Sequence, residues 1–401
     1  MAMRQPWDTA APPPHPRHPL TGLPLTRVSP ELWSDGATRW PVVDGIPFLR
    51  TGREALREAV VSALERGDRP HARALLLRDQ DDHARLPPPP LAATAAVVAG
   101  VESGTMGLRE AMEHLGFGPV APYFAHRQSA PTFLSALGLL AQHWDAPPCV
   151  VELACGIGQV LREVSLRGTP VVGVDVVFAK LWLARHFIVP QAVLLCADAA
   201  ADLPLAPLEG ATVLCHDALY FLPDKARALA ELRRVAGPSG RVLVGHAHNR
   251  HVDQRGVGGT PLDPAGYAAL MPGAACYDDA GFVTRFLDGG AVRDTPLAQL
   301  ERAEALSFAW PPTPGSRSID FGEAVPGARL SLNPLLEAHE GRVRPAWPTP
   351  GLTAEYASAH YLRSDAPEDA ALLRRAATDA TPEQRAALVR RRWLLNLPER
   401  W

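Results

Sequence analysis

The sequence has little lysine and little cysteine, and both shortages narrow what the protein can be. Lys180 and Lys225 are the only lysines among 40 basic residues, so arginine carries nearly all of the positive charge. We interpret this bias, together with 41 prolines, as a mark of a GC-rich coding sequence rather than of function. The 5 cysteines form no Cys-x-x-Cys pair, which argues against a disulfide framework and against a zinc ribbon.

The sequence also lacks a long apolar segment and a strong charge of either sign. The run from Leu91 to Val101 is too short to span a bilayer, and the proline-rich start lacks the apolar core of a secretory signal. The net charge of −3 gives no strong nucleic-acid signal. With 47% hydrophobic and 21% charged residues in 401, we expect a cytoplasmic globular protein of two or three domains.

Five regions follow from the composition and the hydrophobic patterns along the chain. The proline-rich segment 1–18 is predicted to be a loose leader, and 19–51 a small β-hairpin with an Asp-Gly turn. A helical period predicts that 52–130 is helical. Residues 131–340 are predicted to form the main domain, and 341–401 a C-terminal extension that is partly helical.

Strands and helices alternate in the main domain. Helices separate the predicted strands, so the pattern predicts an α/β domain with a doubly wound, mostly parallel sheet. The predicted strands are Val150–Ala154, Val171–Asp175, Ala192–Cys196, Thr212–His216 and Arg241–His246.

The strongest motif runs from Glu152 to Gly158 at the end of the first of these strands. Its glycines, Gly156 and Gly158, let the backbone approach a ligand at the edge where open sheets bind ligands. The third glycine of a dinucleotide fingerprint is missing, because residue 161 is Leu. Acidic residues then end or follow the next two strands, and a His-Asp pair closes the fourth: Asp175, Asp198 and His216-Asp217.

The segment from about residue 130 to 250 resembles the class I S-adenosylmethionine-dependent methyltransferases in these motifs, in their order and in their spacing. The resemblance implies a Rossmann-like fold, S-adenosylmethionine as cofactor, and an unidentified small-molecule or protein methyl acceptor. It implies that Glu152 and the glycine loop shape the methionine side of the pocket, that Asp175 binds the ribose, and that Asp198 binds the adenine. The further cofactor-binding candidates are Ala154, Cys155, Val176, Ala199 and His216, with Tyr123 and Arg127 from a segment that could close the pocket.

Transfer of a methyl group to an oxygen or nitrogen that carries a proton needs a base. The candidates are His216 and Asp217, which end or follow the fourth strand, and His246 and His248 of the cluster Gly245-His-Ala-His-Asn-Arg-His251. Alternation along a strand would place His246 and His248 on one face.

Two other functions stay open at this point. A protein of this fold could bind the cofactor without transferring its methyl group. The cluster 246–251 is also similar to the His-x-His-x-Asp-His signature of metallo-β-lactamase-fold hydrolases, with Arg250 in place of the Asp. The positive charge of Arg250 would repel a metal ion, so we expect no metal site in this cluster.

Both ends of the chain allow further hypotheses. The hairpin around Trp40 resembles the end of the small zinc-ribbon domain of tRNA-methyltransferase activators, but residues 1–148 contain no cysteine, so no zinc is expected there. The C-terminal segment from Thr381 to Trp401 is rich in arginine. It could dock an acidic partner or, in the simpler interpretation, form an amphipathic helix that packs on the core.

Overall fold

The computed structural model describes residues 16–81, 84, 86–253, 258–375 and 380–401. The predicted loose leader, 1–18, lies outside this part of the chain except for its last residues, Pro16 to His18.

The N-terminal region begins with a small antiparallel sheet. Asp44 and Gly45 form the turn of its last hairpin, and both have left-handed backbone, with φ of 52° and 73°. This is the conformation that an Asp-Gly turn between two strands favours. The strands are β1 (Thr26–Ser29), β2 (Leu32–Ser34), β3 (Arg39–Val43) and β4 (Ile46–Pro47).

Helices connect this small sheet to the central one. The predicted helical region contains five helices among its described residues, and the sixth leads into the central sheet. They are α1 (Glu54–Glu65), α2 (Arg69–Leu77), α3 (Leu91–Glu102), α4 (Leu108–His114), α5 (Val120–His126) and α6 (Pro131–Gln142), with a short 3-10 turn at Arg127–Ser129.

A seven-stranded sheet forms the centre of the structure, in the order β10-β11-β9-β8-β5-β6-β7. The five strands from β7 to β9 are parallel, and β11 runs antiparallel to both of its neighbours. The strands are β5 (Val150–Leu153), β6 (Val171–Asp175), β7 (Val193–Cys196), β8 (Thr212–His216), β9 (Arg241–His248), β10 (Ala275–Asp278) and β11 (Ala305–Trp310).

Helices cover both faces of this sheet, which explains why its parallel strands are apolar runs rather than alternating ones. The structure confirms the predicted doubly wound, mostly parallel sheet. The last two strands, β10 and β11, were not predicted. The covering helices that follow β5 are α7 (Gln159–Ser165), α8 (Phe178–Leu183), α9 (Lys225–Ala236), α10 (Pro264–Leu270), α11 (Ala280–Asp288) and α12 (Leu297–Leu300).

The C-terminal extension packs on the domain with short strands and helices. Trp393 and Leu362 are fully buried in the same hydrophobic cluster as residues of the central domain. Among the described residues, no helix combines the length and the apolarity that crossing a membrane requires. The elements are β12 (Ser331–Leu332), β13 (Leu336–His339), β14 (Arg342–Pro345), α13 (Pro350–Glu355), α14 (Pro367–Arg375), α15 (Pro382–Arg390) and β15 (Leu394–Leu395).

The N-terminal hairpin covers the β7 edge of the central sheet. Phe48 forms a parallel bridge with Cys196 of β7, and the Leu49 N–H donates to the Cys196 carbonyl at 2.7 Å. An open sheet edge is a template for unwanted pairing, so this contact protects the edge and ties the N-terminal region to the domain.

We therefore expect substitution of Phe48 to destabilise the whole domain. Phe48 is 0% exposed, and Phe48→Ala should lower the free energy of unfolding by about 3–5 kcal/mol because it leaves a cavity at this junction. Guanidinium chloride unfolding measures the loss. Val28, 62% exposed in the same small sheet, is the control, and Val28→Ala should change stability by less than about 0.5 kcal/mol. Equal stability of the two variants would contradict a structural role for the junction.

Candidate active site

The strand ends at one edge of the central sheet carry the residues that the sequence motifs identified. Glu152 lies in β5, Asp175 ends β6, Asp198 follows β7 and His216 ends β8. Because parallel strands place their carboxyl ends side by side, these residues face one crevice, where open α/β sheets bind ligands.

Three residues other than glycine have left-handed backbone at the ends of three neighbouring strands. They are Ala154 after β5, Asp217 after β8 and His246 within β9, with φ of 57°, 57° and 50°. Such conformations cost about 1–3 kcal/mol each and cluster at functional sites. Their position marks the same edge as the candidate site.

The glycine loop is held by the carboxylate of Asp175. The Gly156 N–H donates to Oδ2 at 2.9 Å, and the Val177 N–H donates to Oδ1 at 2.9 Å. Gly156 has a φ of 56°, and a Cβ there would lie 2.9 Å from the ring of Phe124. Both the backbone conformation and the close approach of Phe124 require glycine.

Glu152 is a buried carboxyl group beside this loop. Its Oε2 has no hydrogen-bond partner among the described residues, and burial raises its pKa to about 8 despite the nearby Arg127 guanidinium. A buried polar atom without a partner is uncommon in a native protein and fits a site that receives a polar ligand.

The remaining cofactor-binding candidates lie around the loop with different degrees of burial. Cys155 is buried, and burial raises the pKa of its thiol well above the ordinary value, so it is a neutral thiol. Val176, Asp198 and Ala199 are half-buried, and Asp198 accepts the Ala200 N–H at 2.8 Å.

Asp217 is the centre of a second cluster, next to the glycine loop. The hydroxyl groups of Tyr123 and Tyr220 donate to its carboxylate at 2.9 and 2.7 Å, and Nη1 of Arg127 lies 3.4 Å from Oδ2. Burial alone would raise the pKa of Asp217, but the charges of His246 and Arg127 hold it below the ordinary value. Tyr123 and Arg127 therefore contact the side of the crevice where β8 and β9 end.

His246 is held by a carboxylate that no sequence motif indicated. Its Nδ1 lies 2.8 Å from Oδ2 of Asp279, and its backbone N–H donates to Oδ1 at 3.1 Å. Ser307 Oγ also donates to Oδ1, at 2.5 Å. A β-bulge in the pairing of β9 with β11 sets two residues of β9, Gly245 and His246, opposite Ser307, and bulges redirect side chains in this way.

The three imidazoles of the site differ in protonation. Burial would lower the pKa of His246, but the Asp279 carboxylate raises it to about 9. Burial lowers the pKa of both His216 and His248 to about 4. Near neutral pH the site therefore contains one imidazolium and two neutral imidazoles.

His216 and His248 have different surroundings. Nε2 of His216 lies 2.7 Å from the Thr132 carbonyl, so it donates this hydrogen bond and its buried Nδ1 is left without a partner among the described residues. His248 lies 3.9 Å from Asp217, and its ring centroid is 5.0 Å from that of His246.

Asp217, His246 and His248 each bring one donor atom within 4.8 Å of the other two. We do not assign this triangle as a metal site. The Asp217 carboxylate already accepts two tyrosine hydroxyls, and the Arg127 guanidinium beside it would repel a cation.

Residues 151–244 match a family model described as a methyltransferase domain. The match runs from β5 into the first half of β9 and includes the glycine loop. The central domain has the class I methyltransferase fold. A comparison with curated protein sequences found no match.

Comparison with solved structures gives weaker likenesses. A chain of the Haloferax volcanii complex of the Trm112 methyltransferase activator with a methyltransferase is 14% identical, with 46% of this chain and 92% of that chain covered and a TM-score of 0.34. The CcbJ methyltransferase of Streptomyces caelestis is 14% identical over 45% of this chain and 88% of that chain, with a TM-score of 0.34. The cyclase SpnF is 20% identical, with 44% of this chain and 78% of that chain covered and a TM-score of 0.31. None of these likenesses carries an inference on function.

Sequence reasoning missed Asp279, Ser307 and Tyr220. Asp279 directly follows β10 and Ser307 lies within β11, the two strands that were not predicted. The short, nearly continuous apolar run of Ala305–Trp310 is a buried-strand signal that could have been found.

The Asp279–His246 pair predicts a pH-dependent stability. Folding raises the pKa of His246 from 6.5 to about 9, so its stabilisation is fully present below pH 6.5 and is lost as the pH rises through 9. Between pH 6 and pH 9.5 the wild type should lose about 1–3 kcal/mol more free energy of unfolding than Asp279→Asn. Urea unfolding at both pH values measures this difference.

The matched control is the neighbouring exposed carboxylate. Asp278→Asn removes a charge one residue away and should keep the pH dependence of the wild type. Parallel pH dependences of the wild type and Asp279→Asn would contradict the coupling.

Proposed function

We propose that the protein is an S-adenosylmethionine-dependent methyltransferase that acts on a small-molecule or protein acceptor. One observation supports this most. Within the matched methyltransferase domain, Glu152, Asp175 and Asp198 place carboxyl groups at the ends of three successive strands, at the same sheet edge as a glycine loop whose backbone requires its glycines.

The residues at this edge fit the proposed cofactor. Asp175 and Asp198 offer carboxylate oxygens to hydroxyl and amino hydrogens, and Glu152 offers a buried oxygen without a partner. Asp175 has a second role, because it holds the glycine loop through the Gly156 N–H. The remaining members of the proposed cofactor site are Ala154, Cys155, Gly158, Val176, Ala199 and His216, with Tyr123 and Arg127 at its border. When bound, S-adenosylmethionine supplies an activated methyl group and leaves as a neutral thioether.

The residues of this chain would align the acceptor and exclude water from it, since the methyl group is already activated. The proposed catalytic residues are His216, Asp217, His246 and His248. They lie at the ends of β8 and β9, next to the glycine loop.

A protein that binds the cofactor without transferring its methyl group is the main alternative. Release of S-adenosylhomocysteine distinguishes the two functions. The purified protein is incubated with S-adenosylmethionine labelled in the methyl group and with a panel of hydroxyl, amine, thiol and carboxylate compounds. Label on any acceptor supports the enzyme, and tight cofactor binding with no label on any of them supports the binding protein.

Asp175→Asn should weaken binding of S-adenosylmethionine and S-adenosylhomocysteine by about ten- to a hundred-fold. Hydrogen bonds to a charged group are worth roughly 1.5–3 kcal/mol, and the amide retains only one accepting oxygen. Isothermal titration calorimetry measures the affinities, and NADH should not bind to either protein.

Asp202→Asn is the control, because Asp202 is exposed and pairs only with Arg227 among the described residues. It should bind the cofactor like the wild type. Unchanged affinity in a folded Asp175→Asn protein would show that the cofactor site lies elsewhere.

A further inference from the structure

The contacts of His246 leave one of its ring nitrogens available. Asp279 accepts from Nδ1 and also from the backbone N–H of the same residue, so the imidazole is fixed in position and in tautomer. Within the described part of the chain, Nε2 of His246 forms no hydrogen bond, and the side chain is 14% exposed. A neutral His246 therefore presents an accepting lone pair to the crevice.

The charges of the cluster around His246 do not balance when its imidazole is neutral. Asp217 and Asp279 carry two negative charges, and Arg127 carries one positive charge, which leaves one negative charge. His216 and His248 are neutral near neutral pH.

Other carboxyl groups also face this cluster. Glu304 and Glu355 act on it from exposed positions, and any charge on them adds to the same excess of negative charge. Glu152 interacts with Arg127 and Asp175, and its raised pKa of about 8 leaves it largely protonated at neutral pH. The cluster therefore accommodates one added positive charge.

We propose that His246 is the base that takes the proton of a neutral hydroxyl acceptor, and that Asp279 is the positioning residue that holds it. The inference rests on the proposed function and names its acceptor class. The positive charge is carried by the His246 imidazolium when the methyl donor is absent. When the methyl donor is bound, its sulfonium supplies this positive charge instead. His246 is then neutral and able to accept a proton.

The step is balanced within these groups. The O–H bond of the acceptor breaks, its proton passes to Nε2 of His246, and an oxygen lone pair forms the bond to the methyl carbon. The electron pair of the broken C–S bond stays on sulfur. One positive charge is present before and after the step, first on sulfur and then on the imidazole.

This charge balance favours a neutral hydroxyl over the other acceptors. A carboxylate acceptor has no proton to give at neutral pH and would lie against Asp217. An ammonium acceptor would add a second positive charge beside the methyl donor and Arg127.

Proton release on ligand binding tests the role of His246. S-adenosylmethionine and S-adenosylhomocysteine are titrated into the protein at pH 8, in buffers with different ionisation enthalpies, so that calorimetry counts the protons released. Binding of S-adenosylmethionine should release about half a proton or more per site beyond S-adenosylhomocysteine, because only the former carries the sulfonium charge.

Three variants assign the proton. His246→Gln should abolish the difference between the two ligands. Asp279→Asn should abolish this difference too, because His246 is already neutral at pH 8 in that variant. If Asp279 had only a structural role, the difference in proton release would persist. Asp278→Asn, the exposed neighbour, should behave like the wild type.

The outcomes separate the two proposals. Failure of the wild type to bind either ligand would overturn the proposed function. Binding of both ligands with equal proton counts, or a difference that persists in His246→Gln, would overturn the assignment of His246 and point to another group such as Glu152. In the acceptor panel, label on hydroxyl compounds is expected, and label only on carboxylates or amines would overturn the acceptor class.

Discussion

A carboxylate that is largely removed from water must be paired, and at Asp217, whose side chain is 15% exposed, the partners come from separate parts of the chain. Tyr123 and Arg127 approach from the segment before the central sheet, and Tyr220 from the turn after β8. Each partner offsets part of the cost of removing the charge from water. The positions of these three elements at the crevice are therefore coupled, and Asp217 is held in a strained conformation, with a φ of 57°, by the same contacts.

The C-terminal extension contributes to this site although it lies far beyond the matched domain. Arg392 donates to the Gln128 carbonyl at 2.8 Å, and the Tyr361 hydroxyl donates to the Ser129 carbonyl at 2.8 Å. Both contacts hold the turn that begins at Arg127. Arg392 is buried, so this arginine stabilises the chain itself rather than forming a docking surface. The extension thus fixes one wall of the candidate site.

The sequence predicts the parallel half of the fold well, and the reason is physical. Strands buried on both faces must be short, apolar and bounded by turns, and β6 and β8 have the predicted bounds. The antiparallel strands β10 and β11 follow a long segment without a recognised motif. Asp279 is 33 residues from His246 and has no fixed spacing to it, so its contact depends on the sheet order and on a bulge that sequence patterns do not show.

His246 and His248 show why residue type and spacing alone do not define a role. Both lie in β9, and their rings are 5.0 Å apart. Burial acts to lower the pKa of both. The carboxylate on Nδ1 of His246 outweighs this effect and raises the pKa of His246 to about 9, whereas the pKa of His248 is lowered to about 4. The neutral His248 adds no charge to the cluster, whereas His246 can gain or lose one. A single carboxylate, placed directly after a later strand, therefore makes one of two similar histidines the group that responds to charge in the crevice.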